Sequence, residues 1–155
     1  MCKILMVCLG NICRSPLAQG ILEEKAKSHN IDIDVDSAGT GSWHVGSSPD
    51  KRSISTAFNH NIDISNQKAR KFNTRDFNTF DRIYVMDTNN LRDILRLASS
   101  ETDSEKVKLI LNITHPEQQL SVPDPYYGGK NGFEEVYQLL DKACDEIIME
   151  LKEKK

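Results

Sequence analysis

The feature that most restricts the fold is a short apolar run over residues 4–9 (ILMVCL), which breaks at a glycine-containing turn and gives way to a helical pattern. A run so short and continuous predicts a strand over residues 3–7 that is buried on both faces, because no polar residue alternates into it. From residue 16 the period lengthens: Leu17, Ile21 and Leu22 share one helical face, and the pattern ends near Asn30. Residues 31–35 alternate and predict a second strand, followed by a Gly- and Ser-rich loop over 37–49. Asp50 reads as the N-cap of a helix reaching about Asn61. A short helix is expected at 74–80, strands at 82–86 and 107–111, and a helix at 89–98 between them. Residues 115–131 carry three prolines where no helix would use them, so that stretch is expected to be irregular. Phe133, Val136, Leu140, Cys144, Ile147 and Leu151 then recur at helical steps and predict a long amphipathic helix. Strands that alternate with helices imply an α/β fold: one domain over 1–155, with a four-stranded parallel sheet flanked by helices on both faces. A chain of 155 residues is long enough for one core without a metal or disulfide staple.

Sheets of this kind bind ligands beyond the carboxyl ends of their strands, so the turn after the first strand is the place to look. It reads Cys8-Leu9-Gly10-Asn11-Ile12-Cys13-Arg14-Ser15-Pro16. Ser15 suits an N-cap, and Pro16 suits the first helical position, where a missing N–H costs nothing. A phosphate-binding loop between the first strand and first helix follows, because a helix N-terminus offers unpaired N–H groups and positive partial charge. Arg14 adds a planar fork that can hold two phosphoryl oxygens at once. The groups that hold an anion there also favour the thiolate form of a nearby cysteine, which is the nucleophile. A lone cysteine at a strand end is ordinarily a buried thiol. Cys8, five spacers, Arg14 and Ser15 on one strand-turn-helix point instead to a nucleophile in an anion nest. The loop is not a Walker A motif, since no Gly-Lys-Ser/Thr follows, and Gly39-Thr40-Gly41 lacks the rest of a dinucleotide fingerprint.

Other classes are disfavoured. Lys and Arg number 20 against 23 Asp and Glu, a net charge of −3, which argues against nucleic acid and against a polybasic membrane surface. No apolar run nears the ~20 residues of a membrane span, and no secretory signal is present, so a cytoplasmic protein is expected. Cys2, Cys8, Cys13 and Cys144 form no CxxC pair and the histidines are scattered, so no metal and no cofactor is expected. Asn112-Ile113-Thr114 matches a glycosylation acceptor, a chance match in that setting.

The Cys-x5-Arg-Ser motif resembles the signature loop of the low-molecular-weight protein tyrosine phosphatases, and the resemblance runs along nearly the whole chain. Asp36-Ser37-Ala38-Gly39-Thr40 with Trp43, then Phe77, Phe80-Asp81, Met86-Asp87 and Asn90-Leu91-Arg92-Asp93, follow in the family's order. Asp124-Pro125-Tyr126-Tyr127-Gly128 resembles its general-acid loop. The resemblance implies hydrolysis of phosphotyrosine through a cysteinyl-phosphate, with Cys8 as nucleophile and Asp124 as acid, then base. It implies that Arg14 holds the phosphate together with Leu9, Gly10, Asn11, Ile12, Cys13 and Ser15. Trp43, Tyr126 and Tyr127 would wall the cleft, and Ser37 would brace the loop. Cys13 could trap an oxidised Cys8 as a disulfide, whereas Cys144 belongs to the core and Cys2 is incidental. The implied partners are phosphotyrosine-containing proteins, with a monomer as the expected state. Gln67 stands where many family members carry histidine, so a tuned rather than lost activity is expected. Three alternatives remain: a protein arginine phosphatase of the same fold, an arsenate reductase, and a redox-sensing or phosphoprotein-binding module. The first usually carries Thr where Ile12 stands and lacks paired tyrosines; the second needs cysteines mid-chain, and none lies between Cys13 and Cys144.

Overall fold

Apolar side chains alternate along the first strand between two separate cores, and this one strand organises the molecule. A computed structural model describes residues 1–127 and 131–153; Gly128 and the side chain of Tyr127 lie outside the described residues. Strand β1 (Cys2–Cys8) lies between β2 (Ile33–Gly39) and β3 (Arg82–Val85), with β4 (Val107–Leu109) beyond β3. All three pairings are parallel, giving the order β2-β1-β3-β4. Ile4, Met6 and Cys8 face one core, where they meet α1 (Arg14–Ser28), α2 (Lys51–Asn59) and α6 (Gly132–Glu153). Leu5 and Val7 face the other, where Phe77 of α3 (Asp76–Thr79) and Ile94 of α4 (Thr88–Leu95) pack. Each such fully buried side chain stabilises the fold by roughly 1.5–3 kcal/mol. Helices therefore cover both faces of a four-stranded parallel sheet, as the alternation of periods implied.

The order reverses at β1, whose neighbours on its two sides follow it in the chain, so a crevice opens beyond its carboxyl end. Cys8 is the last residue of that strand. No helix among the described residues is long and apolar enough to cross a membrane.

Several local expectations are corrected. The first helix begins at Arg14, with Cys13 in the N-cap position and no side-chain cap, so Ser15 lies within the first turn rather than capping it. Its hydroxyl is engaged by the Cys8 sulfur instead. The second strand starts two residues later than the alternation suggested, ends four later and includes Ser37-Ala38-Gly39, which composition assigns to a loop. Pairing with β1, Cys2 opposite Ile33 through Cys8 opposite Gly39, overrides the weak propensity of those small residues. The fourth strand stops at Leu109, and Ile110–Asn112 forms a 3₁₀ turn. A further helix, α5 (Glu101–Glu105), buries none of its residues and so carries no apolar period to read. Asp50 does cap α2, accepting the Arg52 N–H at 2.8 Å.

Gly20 shows how closely α1 is held. A Cβ built there would lie 2.5 Å from Cγ2 of the buried Ile64 and 3.1 Å from Cγ2 of Ile62. Gly20→Ala gains about 1 kcal/mol of helix propensity but overpacks the contact, which typically costs about 1–3 kcal/mol. Because Ile64 is branched at Cβ and fully buried, it has little room to yield. The variant is expected to melt several degrees lower in a thermal scan; an unchanged or raised Tm would show that residues 62–64 yield freely.

Candidate active site

Between β1 and α1 the chain must reverse within a few residues, and Asn11 makes the turn with a left-handed φ of 57°, a conformation that asparagine tolerates well. Four carbonyls of the loop accept hydrogen bonds from the scaffold: Cys8 from the Thr40 N–H, Leu9 from Gly41, Ile12 from Asp50, and Cys13 from the Ser53 hydroxyl. In a trans peptide the N–H points opposite its C=O. The following N–H groups are thus turned away from the scaffold, as an anion site requires.

The hydrogen bonds around Cys8 fix how the Asn11 amide is oriented. The Arg70 N–H can only donate, and it reaches Oδ1 of Asn11 at 3.0 Å, so that atom is the carbonyl oxygen. Nδ2 of Asn11 then donates to the Ser15 hydroxyl at 2.7 Å and to the Ser37 hydroxyl at 2.9 Å. The Ser15 hydroxyl also lies 3.0 Å from the Cys8 sulfur, a hydrogen bond in which either atom can donate. The Asn11 N–H donates to the same sulfur at 3.3 Å. The Asn11 N–H and the Ser15 hydroxyl thus both lie within hydrogen-bond distance of a buried sulfur. Ser37 is reached by the loop's asparagine, which braces the loop against β2.

Cys13 lies in a different environment. Burial pushes its thiol up, and the charges of Asp50 and Cys8 push it the same way, so it stays protonated at neutral pH. It packs with Ile12, Ala69 and Phe133 in a small apolar cluster.

Arg14 is buried, with its side chain 3% exposed, and its Nη1 is committed to Asp87 Oδ2 at 2.7 Å and to the Val122 carbonyl at 3.0 Å. Burial works against the cation, but Cys8 and Asp87 outweigh it and hold Arg14 above its ordinary value. Nη2 lies 3.7 Å from Oδ2 of Asp124. Asp124 also accepts the Tyr126 N–H through Oδ1 at 3.0 Å, within the 3₁₀ turn Pro125–Tyr127.

These elements enclose a cavity of about 370 Å³ lined by Cys8, Leu9, Gly10, Ile12, Cys13, Arg14, Trp43, His44, Asp124 and Tyr126. Trp43 is 72% exposed and Tyr126 is 38% exposed, forming apolar flanks at the mouth. Asn11, Ser15 and Ser37 stand behind the lining. Among the described residues, no group of three or more His, Cys, Asp or Glu side chains is arranged to hold a metal ion. Gln67, the departure noted above, donates to the Pro16 carbonyl at 3.1 Å, while its Oε1 is buried without a hydrogen-bond partner among the described residues.

Four contributors escaped the motif reading. Asp87 and the Val122 carbonyl orient Arg14, Arg70 orients Asn11, and His44 covers Gly10 at the cavity edge. Only Asp87 leaves a local signal, since it immediately follows a predicted strand and caps the next helix in a reciprocal box with Asn90.

Comparison with known proteins gives the same answer from outside the molecule. The model of the low molecular weight phosphotyrosine protein phosphatase family matches residues 3–155. The human low molecular weight phosphotyrosine protein phosphatase is 42% identical over 145 residues, covering 92% of this chain and 90% of that protein. The crystal structure of a protein tyrosine phosphatase from Entamoeba histolytica superposes with a TM-score of 0.92 at 34% identity, covering 99% of this chain and 98% of that one. The crystal structure of a Drosophila arginine phosphatase superposes at 0.89 with 32% identity, covering 97% and 98%. With both sequence and structure aligned over nearly their full length, the chain belongs to the low molecular weight phosphotyrosine protein phosphatase family.

Proposed function

We propose that this chain hydrolyses phosphotyrosine in proteins, and small aryl phosphates, through a cysteinyl-phosphate on Cys8. The observation that carries the reading is the sulfur itself, which accepts the Asn11 N–H, lies 3.0 Å from the Ser15 hydroxyl and lines a cavity that Asp124 also lines. The Cys8 thiolate attacks phosphorus, forming an S–P bond as the P–O bond to the phenol breaks. Asp124 gives its proton to the departing phenolate. Water then attacks phosphorus and passes a proton to Asp124; the S–P bond breaks, and the thiolate returns with Ser15 donating to it. With Nη1 of Arg14 committed to protein acceptors, its Nε and Nη2 edge is left to hold equatorial oxygens as negative charge develops.

Trp43 and Tyr126 supply flat walls suited to an aryl ring and set the phosphate below the surface, beyond the reach of a short phosphoserine arm. The cavity is complete within one chain, which supports action as a monomer. A thiolate nucleophile persists where thiols are kept reduced, which supports a cytoplasmic setting. The likeness to the arginine phosphatase keeps phosphoarginine as the second reading. Matched phosphotyrosine and phosphoarginine peptides, assayed side by side for released phosphate, separate the two. Preference for phosphotyrosine is expected, and turnover confined to phosphoarginine overturns the assignment.

Ser15 provides a sharper check on the second half-reaction. Ser15→Ala removes a donor to a charged leaving sulfur, a bond typically worth about 1.5–3 kcal/mol. Steady-state kcat is expected to fall about 10–100-fold, while a stopped-flow burst of phenol persists because Cys8 still attacks phosphorus and expels the phenol in the first step. Loss of the burst along with kcat would place Ser15 in the first step instead.

A further inference from the structure

We propose that Arg52 is a positioning residue for the general acid, joining the turn that carries Asp124 to the phosphate loop. The role rests on the phosphatase reading above. Arg52 lies in the first turn of α2, and its Nε and Nη2 take the two carboxylate oxygens of Asp50, each at 3.0 Å. Its Nη1 donates to the Tyr126 carbonyl at 3.2 Å. The guanidinium also lies over two rings, 5.3 Å from the centroid of Tyr126 and 4.7 Å from that of Phe133. One side chain thus holds the acid's turn by both a carbonyl and a ring.

Its other contacts lead to the nucleophile's loop. The Asp50 N–H donates to the Ile12 carbonyl at 2.8 Å, and Phe133 packs against Ile12 and Cys13. On the far side, the Tyr126 N–H donates to Oδ1 of Asp124 at 3.0 Å. Hydrogen bonds and one ion pair therefore run from the phosphate loop through Asp50, Arg52 and Tyr126 to the acid. As a stability device this is weak, since the Arg52 side chain is 48% exposed and exposed ion pairs contribute little. As a distance device it is strong, because proton transfer depends on geometry and a 1 Å misplacement can cost about 100-fold. A lysine could supply the charge but neither the planar fork nor the stacking on two rings. Asp50 and Arg52 are two residues apart on the same short helix start, so the link adds no further mobile element between the two halves of the site.

The test compares two esters whose phenols differ in basicity: phenyl phosphate, which needs a proton on its leaving group, and p-nitrophenyl phosphate, which needs it far less. For R52M, kcat/KM on phenyl phosphate is expected to fall about 10–100-fold, and on p-nitrophenyl phosphate less than about 3-fold. R52K is expected to follow R52M. In an Asp124→Ala background, R52M is expected to add nothing, since it acts through the residue already removed. Unequal falls with an unchanged melting profile support the role. Equal falls on both esters, no fall on either, full rescue by lysine, or additivity with Asp124→Ala overturn it while leaving the phosphatase reading intact. A wild-type protein inactive on both esters overturns that reading and the role with it.

Discussion

Cys8→Ser is expected to abolish turnover, with a loss on the order of 10⁵–10⁶-fold, as when the nucleophile of a covalent enzyme is removed. The size follows from what surrounds the atom. Asn11 donates to it and the Ser15 hydroxyl lies 3.0 Å away, and a hydroxyl in the same place would hold its proton far more tightly than a thiol does. The fold should tolerate the change, because Cys8 is a strand end only 2% exposed and serine is nearly isosteric. Inorganic phosphate should still bind, since Arg14 and the backbone amides are untouched. Phosphate release from an aryl ester, measured beside the melting curve, checks this. Residual turnover above about 1% in a folded Cys8→Ser protein would mean that another group attacks phosphorus.

Asp124→Ala should be the next most damaging change, lowering kcat/KM on phenyl phosphate by about 10²–10⁴-fold, the usual scale of general acid catalysis. Asp124 sits on the cavity lip with its side chain 39% exposed, and its buried partner Arg14 keeps Asp87 and the Val122 carbonyl when it is removed, so little stability is at stake. One oxygen takes the Tyr126 N–H, while the other lies 3.7 Å from Arg14 and faces the same space as the sulfur. The loss should therefore appear in the rate of bond breaking rather than in ester binding. It should shrink as the leaving phenol becomes more acidic. A variant with the same deficit on every ester would show that Asp124 organises the loop rather than supplying a proton.

How much of this could be read from residues alone varies with how local the chemistry is. The nucleophile, the arginine and the loop that joins them lie within eight consecutive positions, Cys8 to Ser15, so a strand period followed by a helical one was enough to find them. Asp124, Trp43 and Tyr126 were reached only through resemblance, because no spacing rule ties them to Cys8 across the sheet. Asp87, Val122 and Arg70 could not be paired with the loop before the order β2-β1-β3-β4 was known. The misplaced second strand has the same origin. Gly39 is a glycine because it passes close to the loop, where a Cβ would come within 2.8 Å of the Leu9 carbonyl oxygen, while Ser37 takes a hydrogen bond from Asn11 and Ala38 packs with Leu5 and Val7 in the other core. Tertiary contacts, rather than strand propensity, chose those residues.

The nucleophile is carried at the end of a strand paired along both edges, whose residues 4–7 have no solvent exposure. Amides in such a position exchange with deuterium only when the whole molecule opens. Loss of the reactive thiolate and global denaturation are thus one cooperative event. In a urea series, catalysis of an easily cleaved ester should vanish along the same curve as the circular dichroism of the sheet, with no inactive but folded species between them.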